Sequence, residues 1–344
     1  MRRFIVLLSV AVIALLGLVG AGSPAQAKYP GPNGQIAFGR PDPATGEPRI
    51  FIANPDGTHE HQLPLPAPAD NPIWSPDGSR ILIFFFRPDA PPRPATVNPD
   101  GSGLAVLDVP ELPPDMDLRC TAWSPDATLL LCQASRFEGD PSLNGIYTIR
   151  AADGGGLTRL TVNPYPPTGN FGGGDIPGDF SPDGTQFVFM RAKPGAGPVP
   201  DRNQTGALFV ENTDGTGLRQ ITPYGLANSH DNGLAHWSPD GSKILFASVN
   251  PSIHGPFGSG SLFVIHPDGS GLRPLLLDTG GIPSLPLTPG WSPDGTSIVF
   301  TLFVYATRQV DIYTARSDGS QVAQVTNTSD FEDFADWGTH PLAA

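Results

Sequence analysis

After residue 27 the apolar residues come in short runs rich in β-branched and aromatic side chains. Examples are QIAF (35–38), RIFIA (49–53), RILIFFF (80–86), QFVFM (186–190), LFVEN (208–212), KILFAS (243–248), LFVIH (262–266) and SIVFTLFVY (297–305). Runs of this kind, separated by clusters of Gly, Pro, Asn, Asp and Ser, predict short strands and tight turns. No long stretch repeats with the period of an amphipathic helix. The pattern therefore predicts an all-β chain.

The runs are organised by a repeat. WSPDG stands at 74–78, 237–241 and 291–295, with WSPDA at 123–127 and FSPDG at 180–184. The leading aromatics Trp74, Trp123, Phe180, Trp237 and Trp291, followed by Trp337, are 46 to 57 residues apart. A second string alternates with the first: NPDGTHEHQL (54–63), NPDGSGLAVL (98–107), AADGGGLTRL (151–160), NTDGTGLRQI (212–221), HPDGSGLRPL (266–275) and RSDGSQVAQV (316–325). One unit, 234–276, reads as LAHW, a turn SPDG, SKILFAS, a loop, SLFVIH, a turn PDG and GLRPLL. Four short strands per unit of about 50 residues are the signature of a propeller blade. The last unit supplies only an innermost strand, about 332–337, and the first begins at the strand that should follow it, about 35–39. Pairing of these two strands closes a ring, predicting a six-bladed β-propeller with four antiparallel strands per blade.

The turn strings fit a type I turn followed by a left-handed residue, with Pro presetting φ and Gly taking the positive φ. On this reading their aspartates shape turns, and the aromatic before each turn packs between blades. One copy departs: Ala127 stands where the others have Gly. The only two cysteines, Cys120 and Cys132, flank that hairpin nearly symmetrically. They are expected to face each other across adjacent strands and form a disulfide, the alternative being two buried thiols.

The first residues form a separate unit. Arg2 and Arg3 precede an apolar run from Phe4 to Gly20, and Ala25-Gln26-Ala27 fits a cleavage site. Residues 1–27 thus read as a signal peptide with cleavage between Ala27 and Lys28, the alternative being an uncleaved anchor and membrane association through it. The mature chain, 28–344, would be secreted or periplasmic. The sequence has 33 acidic and 20 basic residues for a formal charge of −13, and removing two Arg with the signal brings it to −15. That balance argues against nucleic acid as a partner.

The string WSPDG-x-x-I-x-F followed by LFV-x-x-x-DG-x-x-x-x-L-T resembles the PD40, or WD40-like, repeat of the TolB family. The resemblance covers residues 33 to 340. It implies a six-bladed propeller of the cell envelope that works by binding other proteins. TolB proteins also carry an α/β domain ahead of the propeller, and no such segment lies between residue 28 and the first strand. Related repeats precede serine-hydrolase domains, but this sequence has no G-x-S-x-G string.

Both kinds of turn fall on one face of the disc, so function is sought on the opposite, loop face, where the sequence stops repeating. Loops entering the innermost strands carry Asp70, Asp117, Asp175, His230, Asp231, Asp330 and Asp333. A ring of carboxylates at the channel mouth would attract a cationic peptide or a metal ion; the alternative is a set of solvated loop residues. No cofactor motif is present, although an acidic channel leaves room for a divalent cation. His59-Glu60-His61 falls on the turn face. The sequence favours an exported, monomeric, non-enzymatic binding or scaffold protein docking a peptide or protein of the cell envelope. Two alternatives remain: a propeller hydrolase, lactonase or lyase with a channel metal, and a structural or carbohydrate-binding domain.

Overall fold

The structure is a computed structural model and describes residues 31–87, 90–113, 115–136, 141–164, 174–193, 205–226, 235–250 and 259–343. The chain begins with β1 (Ile36–Pro41), β2 (Pro48–Ala53) and β3 (His61–Gln62) of blade one. Blade two follows with β4 (Ala69–Trp74), β5 (Ile81–Phe85), β6 (Arg93–Val97) and β7 (Ala105–Val106). Blade three is β8 (Asp117–Trp123), β9 (Leu129–Ser135), β10 (Gly145–Arg150) and β11 (Thr158–Arg159). Blade four is β12 (Asp175–Phe180), β13 (Gln186–Lys193), β14 (Thr205–Asn212) and β15 (Arg219–Gln220). Blade five is β16 (His236–Trp237), β17 (Ile244–Asn250), β18 (Ser259–Ile265) and β19 (Arg273–Leu275). Blade six is β20 (Ser284–Trp291), β21 (Ser297–Val304), β22 (Gln309–Arg316) and β23 (Ala323–Gln324). The last strand, β24 (Asp333–Trp337), returns to blade one and pairs antiparallel with β1, Ile36 facing Trp337. Each sheet is a four-stranded antiparallel meander, so the six-bladed all-β ring is as the repeat predicts.

Six interfaces separate six blades, and each holds an apolar cluster with one repeat aromatic. Trp74 packs between blades one and two, Trp123 between two and three, and Phe180 between three and four. Trp237, Trp291 and Trp337 do the same around the rest of the ring. The indoles also tie blades together by hydrogen bonds. Trp123 Nε1 donates to the Ile73 carbonyl of the preceding blade and Trp291 Nε1 to that of His236, both at 3.1 Å.

The repeated turns behave as punctuation. In the copy at 75–78 the Gly78 amide donates to the Ser75 carbonyl at 2.9 Å, and φ is 69° at Gly78. Ser75 Oγ donates to Asp77 Oδ1 at 2.7 Å while accepting the Arg80 amide at 2.9 Å. Ser124–Asp126, Ser181–Asp183, Ser238–Asp240 and Ser292–Asp294 repeat the bond. Burial opposes ionisation of these five aspartates, but the hydroxyl and amide donors outweigh it and hold their pKa values below the ordinary carboxylate range. The second set of turns meets a further demand. A Cβ on Gly319 would stand 2.0 Å from the Leu276 carbonyl oxygen of the preceding blade, and one on Gly57 2.3 Å from that of Val325. Gly is needed there for close approach as well as for its positive φ.

Ala127 adopts φ 58° in the one turn without Gly. Cys120 and Cys132 are register partners on β8 and β9 and form the expected disulfide. At the seam the chain does more than close a sheet. Gly34 donates to the Gly338 carbonyl at 2.9 Å and Gln35 to that of His340 at 2.9 Å, rebuilding a hairpin from two separate segments. The tail then crosses the turn face: His340 stacks on Trp74, and Ala343 exchanges two hydrogen bonds with the Asn54 side chain, at 3.0 and 3.1 Å.

Candidate functional site at the channel mouth

The innermost strands run from the loop face to the turn face around the channel. Several are bulged at the same level, with register shifts between Asp70 and Ile73, Pro177 and Phe180, and Leu287 and Gly290. The seam shifts likewise, between Ala37 and Gly39 opposite β24. Three non-glycine residues at these bulges take positive φ: Asn71 at 54°, Thr288 at 40° and Phe334 at 54°. They surround a narrow part of the channel, a cavity of about 20 Å³ that also faces Thr121, His236 and Asp336. His236 Nδ1 lies 3.7 Å from Asp179 Oδ2 across blades four and five.

Just above this level stands Asp333. Its Oδ1 accepts the Phe334 amide at 2.8 Å and the hydroxyls of Thr288 and Thr301 at 2.9 and 3.2 Å. Burial drives its pKa up to about 6; these three donors pull it down, and the nearby charge of Asp70 adds to the rise. Asp70, four residues before its repeat aromatic as Asp333 is, also lies above the ordinary range through burial, partly offset by the Asn71 amide and the charge of Arg119. Its Oδ1 accepts the Asn71 amide at 2.8 Å and reaches over Gly39 of β1, where a Cβ would stand 2.9 Å away. Among the described residues no donor bonds Oδ2 of either acid.

The other expected residues fall into different places. Asp117 is partly exposed and accepts Arg119 Nε at 3.1 Å, and that guanidinium lies 4.2 Å from the Phe84 ring centroid. Asp330 is half-buried in the loop before β24, its amide donating to Thr328 Oγ1 at 3.2 Å. Asp175, placed at the mouth by the sequence, is instead fully buried inside blade four. Arg191 grips it with two bonds of 2.7 Å. His230 and Asp231, like Ala27 and Lys28 at the expected cleavage site, lie outside the described residues.

Sequence reasoning missed a second pair built to the same plan. Arg40 Nε donates to Glu332 Oε1 at 2.6 Å, and its terminal nitrogens hold Glu60 at 2.7 and 2.9 Å. Glu332 and Asp175 each stand five residues before the repeat aromatic, and each meets an Arg on the next strand. Both guanidiniums lie over two phenylalanine rings, Arg40 over Phe38 and Phe51, Arg191 over Phe189 and Phe209. The signal was a Phe-x-Arg string in each strand, FGR (38–40) and FMR (189–191), which puts the charge on the face of the apolar residues. Burial raises the pKa of Glu332 despite donors from Thr326, Thr328 and Arg40. Glu60 is thus occupied by Arg40, and His61 Nδ1 pairs with the His59 carbonyl at 3.0 Å. Among the described residues no three His, Cys, Asp or Glu side chains are grouped so as to hold a metal ion.

No family model matches the sequence, and no curated protein matches it. The likeness to known proteins appears in three dimensions. TolB from Acinetobacter baumannii superposes with a TM-score of 0.63 at 18% identity, over 89% of this chain and 66% of that one. In fold the chain is a TolB-like propeller. The putative TolB from Agrobacterium tumefaciens gives 0.57 at 18% identity, over 91% and 94% of the two chains. The TolB-like propeller spans just under two thirds of the Acinetobacter chain. It spans 51% of Kuenenia stuttgartiensis hydrazine synthase, which covers 94% of it at a TM-score of 0.62 and 15% identity. The same architecture thus occurs in proteins named TolB and in an enzyme, and the fold alone does not choose between them.

Proposed function

We propose that this TolB-like propeller is an exported, non-enzymatic binding protein that docks a peptide or protein of the cell envelope on its loop face, over the channel. The observation that carries this reading is the contrast in how carboxylates are used. Each turn-face aspartate of the SPDG strings is held by donors of its own turn. Asp70 keeps one oxygen without a described donor, and Asp117 stands beside an Arg119 that is 56% exposed. An Asp70 with a spare acceptor oxygen and an Asp117–Arg119 pair whose guanidinium lies partly exposed over an aromatic ring suit a partner presenting basic and polar side chains. Export is supported by the basic, apolar and small-residue sequence of 1–27 and by the disulfide, which needs an oxidising compartment.

Capture of partners from envelope extract by residues 28–344, compared with Asp70→Asn, Asp117→Asn and Asp240→Asn, tests the proposal. The two loop-face variants are expected to lose a defined partner at least about tenfold and the turn-face variant to keep it. Equal capture by all four proteins would sink the loop-face reading. A stoichiometric divalent ion accompanied by hydrolase or lyase activity would replace it with the enzymatic one.

A further inference from the structure

The corners of the turn face share one plan, and in blade six that plan leaves a hollow. The residue after each SPDG-x string stands opposite the residue that opens the next turn. In blade two these are Arg80 and Asn98. The Arg80 guanidinium spans the corner, donating to Asn98 Oδ1 at 3.0 Å, to Thr96 Oγ1 at 2.6 Å and to the Gly103 carbonyl at 3.0 Å. In blade four the Gln186 amide donates to Asn212 Oδ1 at 2.8 Å. In blade six the same register sets Ser297 opposite Arg316. Serine is too short to span the corner. A cavity of about 440 Å³ lies there, lined by Thr296, Ser297, Thr314, Ala315, Arg316 and Gln321.

The groups lining this cavity are short of partners. Thr314, the counterpart of Thr96, is 9% exposed, and among the described residues its hydroxyl makes no hydrogen bond. Arg316 spends Nε on Gln321 Oε1 at 2.8 Å, and no described acceptor takes its two terminal nitrogens. Gln321 holds φ 53° where Gly103 and Gly217 stand in blades two and four at 62° and 69°. A side chain is thus kept at a position that favours glycine, and such strain gathers at sites with a task. The nearest acids in sequence serve their own turns: Asp294 accepts Ser292 and Thr296, and Asp318 accepts Ser320. Arg316 is the one charged side chain lining the cavity among the described residues.

We propose that the blade-six corner is a binding site for a carboxylate ligand, gripped by the terminal nitrogens of Arg316 and the hydroxyls of Thr314 and Ser297. A planar fork beside a buried hydroxyl offers donors in the arrangement a carboxylate accepts, and Arg316 repels a cation. The volume is that of a small-molecule site. Acidic peptide side chains and sugar acids both present such a group. The site is on the turn face and does not depend on the loop-face docking proposed above.

Backbone amide shifts of residues 296–297, 314–316 and 321 in the full chain, followed by NMR at constant ionic strength, read the binding of acetyl-glutamyl-amide and of glucuronate. At least one is expected to saturate below about 10 mM. Tighter binding of the first names a peptide acid as the source, and of the second a sugar acid. Arg316→Gln is expected to weaken binding at least about tenfold. Ser297→Gln, which gives blade six the side chain that spans the corner in blade four, should weaken it as much. Arg150→Gln, at the blade-three corner where Asp153 holds the guanidinium, should leave it unchanged. Thr314→Val keeps the side-chain shape and removes a hydroxyl that has no partner, so folding is retained and binding should fall severalfold. Four results each overturn the proposal: no saturation by either acid, equal binding of acetyl-glutaminyl-amide or glucose, the same shifts with chloride (an adventitious ion only), or binding that Arg316→Gln leaves unchanged.

Discussion

On the turn face, Asp77, Asp126, Asp183, Asp240 and Asp294 each accept a serine hydroxyl two residues back, and their pKa values are lowered. On the loop-face side, Asp70 and Asp333 are withdrawn further from water, and burial raises their pKa values, for Asp333 in spite of three donors. The residue type is the same, and the backbone around it makes the difference. A turn followed by a left-handed Gly aims amide and hydroxyl donors at a carboxylate that stays near solvent, whereas deep in the channel burial outweighs the donors. Repetition therefore marks the face where aspartate shapes turns, and its loss marks the face where each acid meets a different environment.

The sharpest way to break this contrast is at Asp175, a loop-side acid that behaves as structure. Asp175→Ala leaves Arg191 buried without its partner and should cost about 3–5 kcal/mol, read by denaturant unfolding. Replacing both partners with apolar residues of similar volume should recover most of that loss. Next come the turn glycines. Gly319→Ala must place a Cβ against the Leu276 carbonyl at φ 90° and should cost roughly 2–5 kcal/mol. Gly215→Ala, at φ 80° with no described atom within 4 Å of the added Cβ, should cost only about 1–2 kcal/mol. In the opposite direction, Ala127→Gly should stabilise by about 1 kcal/mol, since Gly accepts φ 58° without strain. It should also reduce the loss of stability when the disulfide is reduced.

The pH profile sets the two faces against each other. Lowered pKa values on the turn-face aspartates contribute stability that is complete above the ordinary carboxylate range and fades as pH falls through their folded values. Asp333 runs the other way, its contribution complete below the ordinary range and lost as pH rises through about 6. Unfolding from pH 3 to 8 should therefore show Asp240→Asn altering only the acid limb and Asp333→Asn only the limb between about 4 and 6. The smallest effect is expected at Asp117. Its exposed pair with Arg119 is worth less than about 1 kcal/mol, so Asp117→Ala should leave the melting temperature nearly unchanged while weakening partner capture.

The ring, its seam, the turns, the aromatic wedges and the disulfide were all legible in the sequence, because each depends on local chemistry repeated in register. The division of labour among the acids was not. Asp175 and Glu332 stand five residues before the repeat aromatic, Asp70 and Asp333 four. In a strand one residue exchanges the faces, and a bulge between acid and aromatic shifts the count again. The bulges leave no residue signature here, being occupied by Asn71, Thr288 and Phe334. A Phe-x-Arg string does not sort them either: FFR (85–87) follows the strand beside Asp70, and FGR (38–40) lies beside both Glu332 and Asp333.

The hairpin rebuilt at Gly34, Gln35, Gly338 and His340 makes one of six equivalent corners non-covalent. The other corners, such as Ser238–Gly241 and Ser292–Gly295, carry the same internal hydrogen bond. Topologically, then, the place where the ring is cut is arbitrary. A circular permutant that joins residues 338 and 34 through a Pro-Asp linker and is opened at Asp240–Gly241 should build the same six blades. The register of each sheet would then be set by the repeat itself, whichever corner is left open and whichever strand is made first.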